Sequence, residues 1–94
     1  MKKTPEKCPI AKTALLLSDF RTILIVRDLL GGPKHFSEME RSLVTVSSRT
    51  LSLKLKRLVS KGIIKKDEAH YTITKVGRRL GKVIEAMGKC GESL

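Results

Sequence analysis

Between Ser47 and Gly62 the chain sets Arg49, Lys54, Lys56, Arg57 and Lys61 among the hydroxyls of Ser47, Ser48, Thr50, Ser52 and Ser60, with no carboxylate in the run. Ammonium, guanidinium and hydroxyl donors with no acid among them suit a polyanion. The cations neutralise phosphates, and an Arg that reaches a base edge can donate twice to guanine O6 and N7. No other stretch approaches a reactive constellation. There is no Ser, His and acid grouping. Gly31-Gly32-Pro33 reads as a helix stop rather than a phosphate-cradling loop, and His35 and His70 stand isolated as surface or loop residues. An enzyme and a cofactor are therefore not expected. Cys8 and Cys90 lie near opposite ends, with no C-x-x-C pair and no His at ligand spacing, so no metal site is expected either.

The donor set needs a rigid element to aim it, and its own spacing supplies one. At about 100° per residue Leu51, Leu55, Leu58 and Val59 form a single apolar stripe, which predicts a helix over 47–61 with that stripe in the core. The opposite side then carries Arg49, Leu53, Lys56, Arg57 and Ser60, flanked by Thr50 and Ser52. Ser47 is placed to accept from first-turn N–H groups, and Gly62 can take the left-handed conformation after the last turn.

The whole chain leans the same way. Its 94 residues make one domain, 40% hydrophobic, and 20 Lys and Arg against 9 Asp and Glu leave +11. Such a charge favours a polyanionic partner through counterion release. Aromatics are only 3%, too few for the stacking platforms that hold single strands, so charge and helix geometry must do the recognising. No apolar run approaches the roughly 20 residues that span a bilayer, and Met1-Lys2-Lys3 is not followed by one. We expect a soluble cytoplasmic protein with reduced thiols and no membrane partner.

Taken in order, residues 1–9 read as a charged tail broken by Pro5 and Pro9. Ile10 to Leu17 reads as a short helix with Ile10, Ala14 and Leu17 on one side. Phe20 to Leu30 is a second helix, apolar over most of its circumference, with Phe20, Ile23, Leu24, Arg27 and Leu30 around one side. Ser37 with Glu40 three residues on suggests a capping box opening a helix that turns Phe36, Met39 and Leu43 inward. Val44-Thr45-Val46 then reads as an extended link. Two short helices joined closely, the second basic, form a helix-turn-helix pattern. After Gly62, Ile63 to Lys66 and His70 to Ile73 read as two strands about an Asp67-Glu68-Ala69 turn, where a wing would sit. Thr74 caps a last helix running to about Lys89, with Val76, Leu80, Val83, Ile84 and Met87 at near-heptad spacing. Gly77, Gly81 and Gly88 each cost it roughly 1 kcal/mol against Ala, which argues for a packing partner. The fold class is mainly α with a small β-hairpin, a winged helix-turn-helix domain over 10–90.

Over most of Cys8 to Leu80 the chain resembles the HxlR-type winged helix-turn-helix regulators, relatives of the MarR group. The resemblance is carried by Cys8-Pro9-Ile10-Ala11-Lys12-Thr13, Arg27-Asp28-Leu29-Leu30, Gly32-Pro33-Lys34 with Phe36-Ser37-Glu38, Ser47 with Arg49-Thr50-Leu51-Ser52 and Leu55-Lys56, then Tyr71, Thr74 and Gly77 in order. It implies a homodimer, formed through the N- and C-terminal helices, that binds operator DNA and controls transcription. Three features depart from the family. Ser18-Asp19-Phe20-Arg21 replaces its usual Gly-Gly-Lys-Trp, Leu53 stands where it has a polar residue, and the wing is short, with Asp67-Glu68 at a tip where a basic tip would enter a minor groove.

These readings assign Arg49 to a base edge or a phosphate, Lys54, Lys56 and Arg57 to phosphates, and Leu53 to a thymine methyl or to a neighbouring loop. Lys54 and Lys61 have a solvated face as their alternative. Ser48, Thr50 and Ser52 join the helix surface. The backbone N–H of Ser37 can meet a phosphate, and Lys65 and Lys66, with Lys75, Arg78 and Arg79, can line the duplex. A winged-helix module for protein interaction is the alternative function, and double-stranded RNA a third, disfavoured because its deep, narrow groove excludes a helix. For Cys8 two readings stand: a small residue buried under the first helix, or a redox-sensing thiol. The second follows some members of the resembling family, and the helix N-terminus with Lys7 and Lys12 near favours the reactive thiolate.

Overall fold

The computed structural model describes residues 8–94; residues 1–7, most of the expected tail, lie outside the described residues. Five helices and a small sheet follow one another as α1 (Pro9–Leu16), α2 (Phe20–Leu30), β1 (Lys34–His35), α3 (Phe36–Ser42), α4 (Ser48–Ser60), β2 (Ile64–Asp67), β3 (His70–Ile73) and α5 (Lys75–Glu92). This is the mainly helical winged arrangement expected, and among the described residues no helix is long and apolar enough to cross a membrane.

The core forms where α2, α3 and α4 bury their stripes against the sheet. Ile25, Val26 and Leu29 of α2, Met39 of α3, and Leu51, Leu55 and Leu58 of α4 are almost wholly buried, closed below by Ile64 and Ile73. The buried side of α2 is thus Thr22, Ile25, Val26 and Leu29. Phe20, placed around the side of Ile23, Leu24, Arg27 and Leu30, is 56% exposed. The Asp19 carboxylate accepts the Arg21 N–H at 3.0 Å and caps the helix. Val59 likewise leaves the stripe it was assigned to and is 38% exposed, since α4 ends one residue later, beyond the reach of its neighbours.

Three local expectations are corrected. The capping box sits two residues earlier than Ser37 and Glu40: Glu38 Oε1 accepts the backbone N–H of His35 at 2.7 Å, which leaves Ser37 inside the first turn. Val44 to Val46 is a tight turn and not an extended link, closed by the Val46 N–H donating to the Leu43 carbonyl at 2.9 Å. The wing is not a lone hairpin, for β1 adds a third strand in the order β1-β3-β2, pairing Lys34 with Tyr71 and His35 with His70. Two residues after Pro33 carry too little pattern to announce a strand. Within the hairpin Asp67 belongs to β2, and the turn shrinks to Glu68 and Ala69, with Glu68 at a φ of 57°.

Both terminal helices leave most of their surface outside this core, with Leu80 and Ile84 of α5 and Leu16 of α1 packed against it. No residue of α1 is buried, and α5, which runs to Glu92, buries only Gly77 and Leu80.

Candidate nucleic-acid interface

The basic helix is held at both ends and on one side. Ser47 Oγ accepts the Thr50 N–H at 3.1 Å, as the spacing predicted, and Gly62 follows the last turn at a φ of 76°. With Leu51, Leu55 and Leu58 locked inward, Arg49, Lys56 and Arg57 face solvent. Leu53 lies 58% exposed among them, not packed under a loop.

The structure separates the predicted residues into neighbourhoods. Ser37 of α3, Ser52 of α4 and Lys66 of β2 come together in an open groove of about 650 Å³, whose walls include His35, Phe36 and Tyr71. Lys66 Nζ stands 5.6 Å from the Tyr71 ring centre, a cation–π contact that holds the ammonium along this groove. Arg49, Leu53 and Lys56 lie outside it on the outward face of α4. Arg57 sits about 140° around the helix from Ser52, and lines a separate hollow beside α1 with Lys12, Leu15 and Lys61. Lys65 is exposed on the opposite face of the hairpin from Lys66.

Lys54 is engaged within the fold. Its ammonium pairs directly with the Asp19 carboxylate, so one acid both caps α2 and ties it to the middle of α4. The Lys54 hydrogen bond, helped by the Arg21 N–H, holds the Asp19 carboxyl below the usual aspartate range. This explains one departure at 18–21: a glycine there could neither cap nor pair. A second brace joins α2 to α3, where Asp28 accepts from Lys34 Nζ at 3.1 Å and from Ser42 Oγ at 3.0 Å.

Sequence reasoning missed one acid at the site. The Ser48 hydroxyl donates to the Glu40 carboxylate of α3, so the first turn of α4 has a carboxylate beside it although the helix has none of its own. The two residues belong to different helices, and no local pattern could have joined them. Glu38, by contrast, is held below the usual glutamate range chiefly by the His35 N–H. It serves the helix end, not the groove.

Cys8 is exposed at the N-cap of α1, which removes the reading of a small residue buried under that helix. Cys90 is exposed on α5. Among the described residues no three His, Cys, Asp or Glu side chains stand together as a ready metal cage.

Against known proteins, residues 16–94 match the family model described as HxlR-like helix-turn-helix. The uncharacterised HTH-type transcriptional regulator YvaP of Bacillus subtilis (strain 168) is 35% identical over 92 residues, covering 89% of this chain and 85% of that protein. Among solved structures, quinone-bound YodB from B. subtilis is 28% identical with a TM-score of 0.86, covering 93% of this chain and all of that one. The redox regulator HypR in its oxidised form is 27% identical with a TM-score of 0.80, covering 93% of this chain and 97% of its own.

Proposed function

Because the chain belongs to the HxlR-like helix-turn-helix family, we infer from that membership that it binds DNA and regulates transcription; its relatives are transcriptional regulators, not enzymes. A role purely in protein interaction is not favoured. The observation that carries the reading is α4 itself, capped at both ends, with three leucines buried and Arg49, Leu53 and Lys56 turned outward.

In this proposal α4 enters the major groove of double-stranded DNA. Arg49, in its first turn, donates to a guanine, Leu53 meets a thymine methyl, and Lys56 takes a phosphate. Ser48, Thr50 and Ser52 complete the helix surface. The groove of Ser37, Ser52 and Lys66 receives one backbone strand, while Arg57 and Lys65 lie on its flanks. Residues 10–90 act as the winged domain.

We further propose a homodimer through α1 and α5. Its support is an apolar trough of about 590 Å³ between them, lined by Pro9, Ile10, Ala14, Leu17, Val83 and Met87. Ile10, Val83 and Met87 are 81%, 38% and 45% exposed there in the isolated chain, a contiguous apolar patch of the kind that marks an interaction site. Two-fold symmetry would set two recognition helices about 34 Å apart and favour an inverted repeat. Cys8 adjoins this trough, and the quinone-bound and oxidised states of two relatives support an oxidant or electrophile as the input. The proposed setting is the cytoplasm.

The test is a titration against duplex DNA, duplex RNA and random competitor at several salt concentrations. For a dimer neutralising on the order of 8 phosphates, log K should fall with log salt at a slope of about −7, and a flat dependence would overturn the electrostatic reading. Arg49→Ala should cost about 1–3 kcal/mol and relax preference at one base pair, while Lys56→Ala weakens all sequences alike; uniform, equal losses would remove Arg49 from the bases.

A further inference from the structure

The chain has two histidines, far apart in sequence, and the third strand of the sheet brings them together. His35 of β1 is the register partner of His70 of β3, and their ring centres stand 4.0 Å apart with the planes inclined at 41°. On the other side of His70 its register partner is Asp67 of β2. Residues directly opposed across antiparallel strands point to one face, so His35, His70 and Asp67 form one row. Ile64 and Ile73 take the core face, and strand alternation puts the row on the outer one, with His35, at the end of its strand, also bordering the groove of Ser37 and Lys66. A hollow of about 410 Å³ opens there beside His70, bordered also by Asp67, Glu68 and Thr72.

We propose that His35 and His70 form a two-imidazole site for a late first-row divalent cation, and that the bound ion offsets the Asp67-Glu68 charge so that the wing can approach DNA. With metal–nitrogen distances of about 2.0–2.1 Å, two imidazoles on neighbouring positions of one ion hold their ring centres roughly 4.5 Å apart at a right angle and roughly 5 Å apart at the tetrahedral angle. The observed pair must open by roughly 0.5–1 Å, and His35, whose ring also stands at the N-cap of α3 against the Glu38 N–H, must turn a lone pair to the ion. No third ligand already stands with the pair among the described residues. Water therefore fills the remaining positions, and Asp67 is the protein group nearest in register. Imidazole donors select nickel, copper and zinc over magnesium and calcium, which want oxygen ligands.

The charge pattern supplies the reason for such a site. A chain with +11 nevertheless puts two adjacent carboxylates at the turn of its wing, where they repel a phosphate backbone. A divalent ion on the row cancels them in place. This second half rests on the DNA-binding reading; the cation site does not.

Zinc is the probe, on the full chain in a non-coordinating buffer. Because the thiols of Cys8 and Cys90 also bind zinc, the readout is the ring C–H proton resonances of the two histidines. Both should move together with about one equivalent of zinc and stay still in millimolar magnesium. In His70→Ala the His35 response should weaken by at least about tenfold, since a second ligand on the same scaffold acts at a local concentration of millimolar order. His35→Asn, which keeps a polar N-cap, is the reciprocal variant if His70→Ala melts early. Resonances that do not move, or a His35 response unchanged in His70→Ala, overturn the site. In the second arm zinc should raise affinity for duplex DNA about two- to eightfold near 0.1 M salt over a chelator control, the effect of neutralising one more phosphate. That rise should vanish in His70→Ala. Moving resonances with equal DNA affinity in zinc and chelator overturn the gating alone. DNA binding absent under every condition overturns the DNA reading, with the cation site then judged by the resonances.

Discussion

Gly77→Ala and Gly88→Ala make the same chemical change at two places on α5 and should move stability in opposite directions. A Cβ on Gly77 would stand 2.1 Å from the Ile63 carbonyl oxygen and 2.9 Å from Ile73 Cγ1. The Ile63 carbonyl is held in place, because it accepts the Thr74 N–H at 3.0 Å, while the Thr74 hydroxyl donates to the adjoining Gly62 carbonyl at 2.6 Å with the Ile63 oxygen at 2.9 Å. Thr74 Oγ1 in turn accepts the Gly77 N–H at 3.0 Å. Relief must therefore lift α5 off the hairpin and strain its cap. Overpacking costs about 1–3 kcal/mol and a weakened cap about 1 more, against about 1 recovered from helix propensity, so Gly77→Ala should lose about 1–3 kcal/mol. Around Gly88 nothing lies within 4 Å, and only the propensity remains, a gain of up to about 1 kcal/mol. At about 4–8 °C per kcal/mol for a domain of this size the two variants should melt on the order of 10–20 °C apart. The assay is a circular-dichroism melt at fixed protomer concentration, since association would itself shift the midpoint. A Gly77→Ala melt within about 2 °C of wild type would refute the claim that this contact sets the seat of α5.

Three further outcomes are expected. Met87→Glu, at a position 45% exposed in the isolated chain, should leave the fold intact and shift light scattering from dimer to monomer; a wild-type monomer at roughly 50 µM would rule the dimer out. Asp19→Asn keeps a capping side chain and removes the charge that Lys54 meets. The Asp19 carboxyl is lowered on folding, so its contribution is present above the unfolded pKa and lost as pH falls through the folded one. A wild-type advantage of about 0.2–1 kcal/mol at pH 7 should accordingly shrink below about pH 4, and an advantage independent of pH would exclude the ion pair as its source. Cys8→Ser should abolish any change in DNA affinity caused by mild peroxide or diamide, whereas identical responses in wild type and variant would make Cys8 a bystander.

How much of this was legible beforehand follows from how local each signal is. The basic helix, its Ser47 cap, the Gly62 exit and the Thr74 cap come from hydrogen bonds and periodicities within a few residues, and the structure keeps each of them. The Ser37 and Glu40 capping box failed at short range because two equally spaced acids competed, and the one whose N-cap lay at the end of a paired strand, Glu38, took the role. The family pattern carried the architecture. At 18–21, where the chain departs from that pattern, it offered no substitute explanation.

Composition and spacing by themselves determined that this chain would be a small, basic, mostly helical domain with one cation-rich helix for a polyanion. Charge and apolar period are properties of consecutive residues and need no neighbour to be read. Only the tertiary structure decided that Lys54 pairs with Asp19, that Glu40 stands beside Ser48, that Ser37, Ser52 and Lys66 share one groove, and that His35 faces His70 across a strand too short to announce itself. Each of these joins side chains from separate elements, and which elements meet is settled by how their buried faces pack, a choice that no single stretch of sequence contains.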